Sequence, residues 1–468
     1  MDQPSITQTA GRRLVFLGDF GSTFSKFQLI ELEPTTRIGH VTLETTQKSS
    51  IMDCYQQAKM KLLEDTKYDP EVDQLEEYFS SSAWGGFKMV VIGLTEHLTQ
   101  QAASFAALGS GTRIIGRYAY HLTSADLAEI QTRHPDAILL TGGTDGGNQA
   151  FVVEVAKQMS DSLHDIAIIY AGNNQATPEI ERILQDSDCP LYLCENVMPK
   201  VNVIQIDSVK QTAAAIFIQK IVASNGLEEV AKYTTRPIVP TPIAVQQAVH
   251  LIGEVEGAGV LAIDVGGATT DIHSFGSGVS QQLNVLYEGL PEPLLKRTVE
   301  GDLGMRESAM SVLKQYSLPQ LIAETRMTER ELVQRIEKRT THHDYLPKTP
   351  LERQLDEALA LKAVDIALDR HLGTITKRDN QTWIQRGKSA RSFQTVIATG
   401  GVLIHQVSPA HLSRIITLDT SAHTRPENPA LYIDTDYILS TAGILAPIYP
   451  VAARALLIAH LQCVIPDS

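Results

Sequence analysis

The feature that most constrains this chain is a strand–Asp–Gly-turn–strand pattern that occurs twice. Val260-Leu261-Ala262-Ile263 is a short apolar run that reads as a buried strand. It ends at Asp264, passes through Gly266-Gly267-Ala268-Thr269-Thr270, and returns from Asp271 as an alternating run. The two glycines permit φ > 0 and leave backbone N–H groups uncovered, so an anion can approach closely. The hydroxyls of Thr269 and Thr270 can add hydrogen bonds to phosphate oxygens. Asp264 and Asp271 are carboxylates of the kind that hold Mg²⁺, directly or through water. Taken alone, the stretch reads equally well as a β-hairpin with Gly-Gly in a type I′ turn. Near the N-terminus the design recurs: a strand ends at Asp19, Gly21-Ser22-Thr23 form the turn, and an alternating strand returns, with Lys26 placed to reach a phosphate.

A third strand-to-glycine turn, Ile397-Ala398-Thr399-Gly400-Gly401, follows late in the chain. Two Asp-x-Gly-x-Thr hairpins and a late Gly-Gly turn, in that order and far apart, resemble the nucleotide-binding pattern of the actin, heat-shock chaperone and sugar kinase superfamily. The resemblance implies an α/β fold: two actin-like (ribonuclease H-like) nucleotide-binding domains around a cleft. The first two turns would grip the phosphates and Mg²⁺, and Gly400 and Gly401 would lie beside adenosine.

Between the hairpins the pattern changes. Strands at 89–94, 113–118, 137–140, 166–170 and 191–193 alternate with helical segments at 96–108, 124–133, 149–160, 177–185 and 208–224, the signature of a parallel sheet. The expected organisation is therefore a short tail over 1–13, the first part of the first actin-like domain over 14–88, an inserted α/β domain over 89–232, and the second actin-like domain over 233–468 with a charged helical region at 318–372. The insert carries its own glycine cluster, Thr141-Gly142-Gly143-Thr144-Asp145-Gly146-Gly147-Asn148, at a strand end. In open α/β sheets ligands bind beyond the carboxyl ends of the strands, so Gly142, Gly143, Thr144 and Asp145 are candidate ligand contacts; tight left-handed turns are the other reading. It is not a G-x-G-x-x-G fingerprint. Glu71–Glu77 reads as an exposed connection or helix, and Ile444–Ile465 as a buried or partner-contacting helix. Lys296–Arg306, with Arg297, Asp302 and Arg306, reads either as a solvated loop or as a contributor to the cleft.

The 468 residues carry a net charge of −14, which argues against a general nucleic-acid binder. Four cysteines lack close metal-ligand spacing and fit a reducing cytosol. The polar start, Met1–Arg13, has no apolar core of a signal peptide. The apolar stretch near the C-terminus is interrupted by Pro447, Pro450, Arg454 and His460, which speaks against a membrane span. Adjacent His342 and His343 do not share a helix face, so a metal reading there is disfavoured.

Several stretches together resemble a narrower family. They are Asp19–Thr23, Leu140–Asn148, Glu195-Asn196-Val197-Met198-Pro199, Pro240-Thr241-Pro242, Asp264–His273 and Glu300–Arg306, spread over about 14–450. The combination resembles the MutL/GlmL family, accessory proteins of adenosylcobalamin-dependent glutamate mutase and related amino-acid mutases. The family shares its name with a DNA mismatch-repair ATPase, whose fold nothing here resembles. The resemblance implies a cytoplasmic, ATP-dependent reactivating factor that opens an inactivated mutase and releases damaged cobalamin. In that reading ATP and Mg²⁺ are the cofactors. Gly21, Ser22, Thr23, Gly266, Gly267 and Thr269 bind the phosphates. Asp19 and Asp264 hold Mg²⁺ and its waters, and one of them or Asp271 orients the attacking water. A small-molecule kinase of the same superfamily, with Asp145 or Asp302 as base, and a nucleotide-binding interaction or filament protein are the alternatives.

Overall fold

The structure, a computed structural model, describes residues 11–21, 24–45, 51–82, 87–224, 227–418 and 422–465. It divides into two compact units: Met1–Trp84 with Ile218–Ala248 and Ile438–His460, and Gly85–Phe217 with Val249–Tyr437 and Leu461–Ser468. Residues 1–10 of the expected tail lie outside the described residues. Of the remaining tail residues, Arg12 is held by Asp73 at 2.6 Å and Arg13 opens the first strand.

The first unit is built on β1 (Arg13–Phe20), β2 (Phe24–Leu32), β3 (Thr35–Glu44) and β4 (Gln74–Ser81), with α1 (Ile51–Asp65) packed on them. Strand β1 is buried from Leu14 to Phe20 because both its faces are covered. Phe16, Phe20, Phe27, Tyr55 and Phe79 form an aromatic cluster with ring centroids 5.4–6.4 Å apart. Each such side chain contributes about 1.5–3 kcal/mol by leaving water. The segment expected as an exposed connection or helix over 71–77 is in part β4. Its charges are tolerated in a strand because they are paired: Glu77 accepts from Tyr55 Oη and Lys59 Nζ, each at 2.6 Å, and Glu76 accepts from Tyr449 Oη at 2.8 Å.

The inserted domain is the parallel sheet of β5 (Lys88–Gly93), β6 (Arg113–Ala119), β7 (Ala137–Leu140), β8 (Ala167–Tyr170) and β9 (Leu191–Leu193), in the order β6-β5-β7-β8-β9. Helices α2 (Thr99–Gly109), α3 (Ser124–Arg133), α4 (Ala150–Ser162) and α5 (Thr177–Leu184) supply the crossovers, and α6 (Asp207–Ser224) follows. Every element read from strand–helix alternation is present within a few residues. Strands β7 and β8 are wholly buried, which is why each reads as an unbroken apolar run.

After α7 (Leu227–Ala231), a two-residue strand β10 (Val239–Pro240) returns to the first unit beside β4. The first sheet then runs β3-β2-β1-β4-β10, with β1, β2 and β3 antiparallel and β4 and β10 parallel to β1. Helix α8 (Thr241–Glu256) leads into the second unit. There β11 (Val260–Val265), β12 (Thr270–Phe275), β13 (Val285–Tyr287), β14 (Leu295–Glu300), β15 (Thr374–Lys377), β16 (Trp383–Arg386), β17 (Thr395–Thr399), β18 (Ala430–Ile433) and β19 (Gln462–Ile465) follow. Its main sheet runs β14-β12-β11-β17-β18-β19, and β13-β16-β15 form a small separate sheet. Leaving β19 aside, the main sheet repeats the third-second-first-fourth-fifth order of the first unit, with the same antiparallel meander and parallel flank. This is the duplicated ribonuclease H-like arrangement expected from the two hairpins.

The helical region is more buried than its charges suggest. Pro350–His371 buries Leu355, Leu359, Ala363, Val364 and Leu368 against the second unit's core, and Glu329–Thr341 buries Leu332, Ile336 and Arg339. The single helix expected over 444–465 is instead Ile438–Leu445, Pro450–His460 and β19, since Pro447 and Pro450 end one helix and start the next. Among the described residues no helix is long and apolar enough to cross a membrane.

Candidate phosphate-binding site

In the second unit, Asp264 sits near the end of β11 opposite Asp271 on β12, and Val265 pairs with Thr270. The connecting turn is closed by Gly266 N–H donating to Thr269 O at 2.9 Å. Neither Gly266 nor Gly267 is among the glycines with positive φ, so the type I′ reading is replaced by a four-residue turn. What the two glycines provide is open backbone. A Cβ at Gly266 would meet only Thr269 O, at 3.3 Å, and one at Gly267 only the Arg306 side chain, at 3.6 Å. Packing asks nothing of Gly267 and sets one tight contact at Gly266, so both leave backbone uncovered on the open side of the turn.

The segment Glu300–Arg306, whose role spacing left open, backs this turn. Met305 N–H donates to Gly266 O at 3.0 Å and Arg306 N–H to Gly267 O at 2.7 Å. Gly304 lies so close that a Cβ there would fall 2.3 Å from the Ala268 carbonyl carbon. Thr270, expected as a phosphate ligand, is fully buried and donates its hydroxyl to Leu303 O, so it fastens the turn to this segment and does not face its open side. Thr269 is part-exposed and donates to Asp271 Oδ2 at 2.9 Å. The other oxygen of Asp271 accepts from Arg297 Nε at 2.8 Å. Asp271 is thus half of an ion pair.

Strand β17 runs parallel to β11 and sets Thr399 opposite Asp264. Gly400 follows at φ +93°, and a Cβ there would fall 2.4 Å from Val265 O and 2.8 Å from Asp264 Oδ1. Here a glycine is required, and the requirement places the third turn directly against Asp264. Gly401, itself exposed, begins a short helix, Gly401–His405, and a Cβ there would lie 3.7 Å from Tyr437 Oη. Burial, with the charges of Asp264 and Asp434, pushes the Tyr437 hydroxyl up to about 12. Buried Asp434 accepts from Thr399 Oγ1 at 3.1 Å. The place of Asp434 and Tyr437 beside Asp264 follows from strand pairing and has no local signal in the sequence.

In the first unit Asp19 is 7% exposed and pairs in register with Lys26 across β1 and β2. Its Oδ1 accepts from Ser80 Oγ at 2.9 Å and from Thr241 Oγ1 at 2.6 Å. Two hydroxyl donors on one carboxylate oxygen fix its direction. Ser80 and Thr241 come from β4 and the start of α8, so neither was readable as an Asp19 partner. Gly21 follows β1; Ser22 and Thr23 lie outside the described residues.

The insert's glycine cluster has a different character. Gly142, Gly143 and Gly146 have positive φ, and a Cβ at Gly143 would fall 2.1 Å from Asn148 O. Asp145 N–H donates to Pro199 O, Gly146 N–H to Asn173 Oδ1, and Asn196 Nδ2 bridges Gly143 O and Asp145 Oδ1 at 3.0 and 2.9 Å. Asp145 Oδ1 also accepts from Asn174 N–H, and the hydroxyl of Thr144 lies against Gly147. These glycines are accounted for by left-handed turns and backbone packing, with the loop's polar groups bonded to the neighbouring strand ends. A cavity of about 900 Å³ elsewhere in the second unit is lined by Ser277, Val285, Trp383 and His423 and by none of the predicted site residues.

The donor chemistry suits a nucleotide. Asp19 and Asp264 are hard oxygen donors of the kind Mg²⁺ takes, Gly266 and Gly267 bare the backbone, and Gly400 leaves room beside Asp264. The family model described as MutL protein matches residues 15–461. Protein MutL of Clostridium tetanomorphum is 36% identical over 442 residues, covering 92% of this chain and 96% of that protein. Among solved structures, nucleotide-free acetone carboxylase is similar at TM-score 0.43 and 13% identity, covering 93% of this chain and 70% of that one. Glycerol kinase of Plasmodium falciparum with ADP is similar at TM-score 0.37 and 11% identity, covering 98% and 94%. Matched from residue 15 to 461, the chain belongs to the MutL protein family.

Proposed function

We propose that this protein is a Mg²⁺-dependent ATPase that reactivates an adenosylcobalamin-dependent mutase of the glutamate mutase type by driving release of damaged cobalamin. The observation that carries the ATPase half is the paired placement of Asp19 and Asp264 at equivalent strand ends of two sheets with the same order, the second beside glycines that leave backbone uncovered. The mutase half rests on the family and on the motif stretches that resemble it.

In this reading the backbone of Gly21, Gly266 and Gly267, with Ser22, Thr23, Thr269 and Lys26, holds phosphate oxygens, and Gly400 and Gly401 flank adenosine. Asp19 and Asp264, each within its own unit, offer carboxylates to Mg²⁺ or its waters; the ion would supply charge neutralisation for the leaving phosphate. One of Asp19, Asp264 and Asp271 orients the attacking water. Asp271, neutralised by Arg297, serves to orient Thr269 and is a weaker candidate for the base. The kinase alternative would need Asp145 or Asp302. Asp145 is bonded to Asn174 N–H and Asn196, and Asp302 is paired with Arg370 at 2.7 Å, which favours hydrolysis over transfer.

The test is ATP hydrolysis by the purified protein with Mg²⁺, alone and with a mutase inactivated by bound damaged cobalamin. Hydrolysis with release of the corrinoid, followed spectroscopically, is the expected outcome. Hydrolysis with every candidate mutase left inactive would overturn the client assignment, and no hydrolysis under either condition would overturn the ATPase.

A further inference from the structure

Arg297 is 5% exposed and faces two ways. Its Nε donates to Asp271 Oδ1 at 2.8 Å, and its Nη1 donates to the carbonyl oxygens of Leu108 at 3.3 Å and Thr112 at 3.1 Å. Leu108 lies in the last turn of α2 and Thr112 in the connection from α2 to β6, both in the insert. A helix ends there with carbonyls that lack intrahelical partners and with the negative pole of its dipole, both of which favour a cation. The opposite oxygen of Asp271 holds the Thr269 hydroxyl of the phosphate turn. One guanidinium therefore joins the turn to the insert.

A second link runs along the same strand and loop. Arg113, at the start of β6, donates from Nη2 to Gly301 O at 3.3 Å, and a Cβ at Gly301 would fall 2.2 Å from that guanidinium. The Ser308 hydroxyl lies 2.6 Å from Gly301 O and 3.0 Å from Ala268 O, inside the turn. Both links converge on β14 and the loop after it, the segment that backs Gly266 and Gly267.

We propose that Arg297 is a positioning residue: it fixes Asp271 beside the phosphate turn and transmits the state of that turn to the C-terminal end of α2, so that the insert is the element that responds to nucleotide. The catalytic half of this proposal rests on the ATPase reading; the mechanical half does not. The planar fork of arginine spans a carboxylate and two carbonyls at once, whereas a lysine ammonium is a single compact donor on a flexible stem. Arg297→Lys thus keeps the charge and loses the span.

The experiment is hydrogen–deuterium exchange on the full-length chain, wild type against Arg297→Lys, first without nucleotide. We expect exchange about fivefold or more faster both at 266–271 and at 108–113, with α4 in the same insert unchanged. Asp271→Asn should reproduce the effect, and the double variant should add little to either single one, as coupled partners do. With MgADP, wild type should slow exchange at 108–113 and Arg297→Lys should not. In turnover, Arg297→Lys should lower kcat about tenfold or more with KM within about threefold, a split that a smaller folded fraction would not produce if the rate is scaled to folded protein. Faster exchange at one end only, or across the whole insert, would overturn the strut. A wild-type chain that neither binds nor hydrolyses ATP would overturn the ATPase reading instead, and the nucleotide-free exchange would still decide the mechanical half.

Discussion

The glycines of this site divide into those that packing requires and those it does not, and Gly400→Ala against Gly267→Ala tests the division. At Gly400 the backbone has φ +93°, where alanine costs about 1–2 kcal/mol more than glycine. The new Cβ would also lie 2.4 Å from Val265 O and 2.8 Å from Asp264 Oδ1, well inside contact distance. Relieving that overlap means moving strand backbone or the Asp264 carboxylate, and overpacking of this kind costs about 1–3 kcal/mol. The two costs together come to about 2–5 kcal/mol, a large fraction of the 5–15 kcal/mol typical of a folded protein. Gly400→Ala should therefore fold with a clearly lowered urea midpoint and should bind nucleotide poorly because Asp264 is displaced. Gly267→Ala meets only the Arg306 side chain at 3.6 Å and needs no positive φ, so its stability should change by less than about 0.5 kcal/mol. It does cover backbone offered to phosphate. Losing one such hydrogen bond is worth about 1–3 kcal/mol, or roughly tenfold to a hundredfold in Kd. Urea unfolding without nucleotide and calorimetric titration with MgADP measure the two quantities separately. If Gly267→Ala is as destabilised as Gly400→Ala, or binds nucleotide like wild type, the reasoning fails.

Three further outcomes follow from single contacts. Asp264→Asn keeps the size and removes the charge; turnover should fall about a hundredfold or more with the fold intact, and a rate within threefold of wild type would remove Asp264 from the mechanism. Arg339 and Asp356 form an ion pair in which neither is more than 1% exposed, joined at 2.6 Å. Arg339→Met leaves the carboxylate to the longer pair with Arg306 at 3.6 Å and should cost about 2–3 kcal/mol, and adding Asp356→Leu should recover part of that loss; a neutral single variant would count against the pair. Lys388 is buried with its Nζ on Pro293 O and Leu294 O, both at 2.8 Å, and burial pushes its amino group down to about 7. The folded state then binds fewer protons than the unfolded chain between pH 7 and the ordinary lysine range. Stability should rise with pH across that window, by at most about 1.4 kcal/mol per unit, and the penalty should be complete below it. Melting curves of wild type and Lys388→Met from pH 6.5 to 10 would show the slope in the first only; equal slopes would refute the assignment.

Much of the architecture was readable because it is written locally. The insert's strands β5, β7 and β8 are apolar runs of four to six residues spaced by helices, and both hairpins announce themselves by Asp, glycine and threonine. Strand β4 was missed because Glu76 and Glu77 look solvated until Tyr55, Lys59 and Tyr449 pair them from elsewhere in the chain. The site was legible to the same depth. Asp19, Asp264 and the glycines lie in the motifs, but Ser80 and Thr241 on Asp19, and Asp434 and Tyr437 near Asp264, arrive through strand order. Spacing also could not separate the two kinds of glycine: Gly143 and Gly266 look alike in sequence, and only the surroundings of a virtual Cβ tell them apart.

The first unit is assembled from three separated stretches, and this governs how the chain can come off the ribosome. Strands β1 to β4 are made first, but β10 and the helix Ile438–Leu445 that covers β1 and β4 are supplied by residues 218–248 and 438–460. Gly443 in that helix is pressed so tightly on Ala244 that a Cβ would fall 1.7 Å from its carbonyl oxygen. Until that helix emerges, the side of β1 that α1 does not cover stays open. The insert, whose contacts are local, can fold long before. The unit that is translated first is thus completed only by residues 438–460, and a nascent chain arrested before residue 438 would present a folded insert and an open N-terminal sheet, a ready substrate for chaperones and proteases.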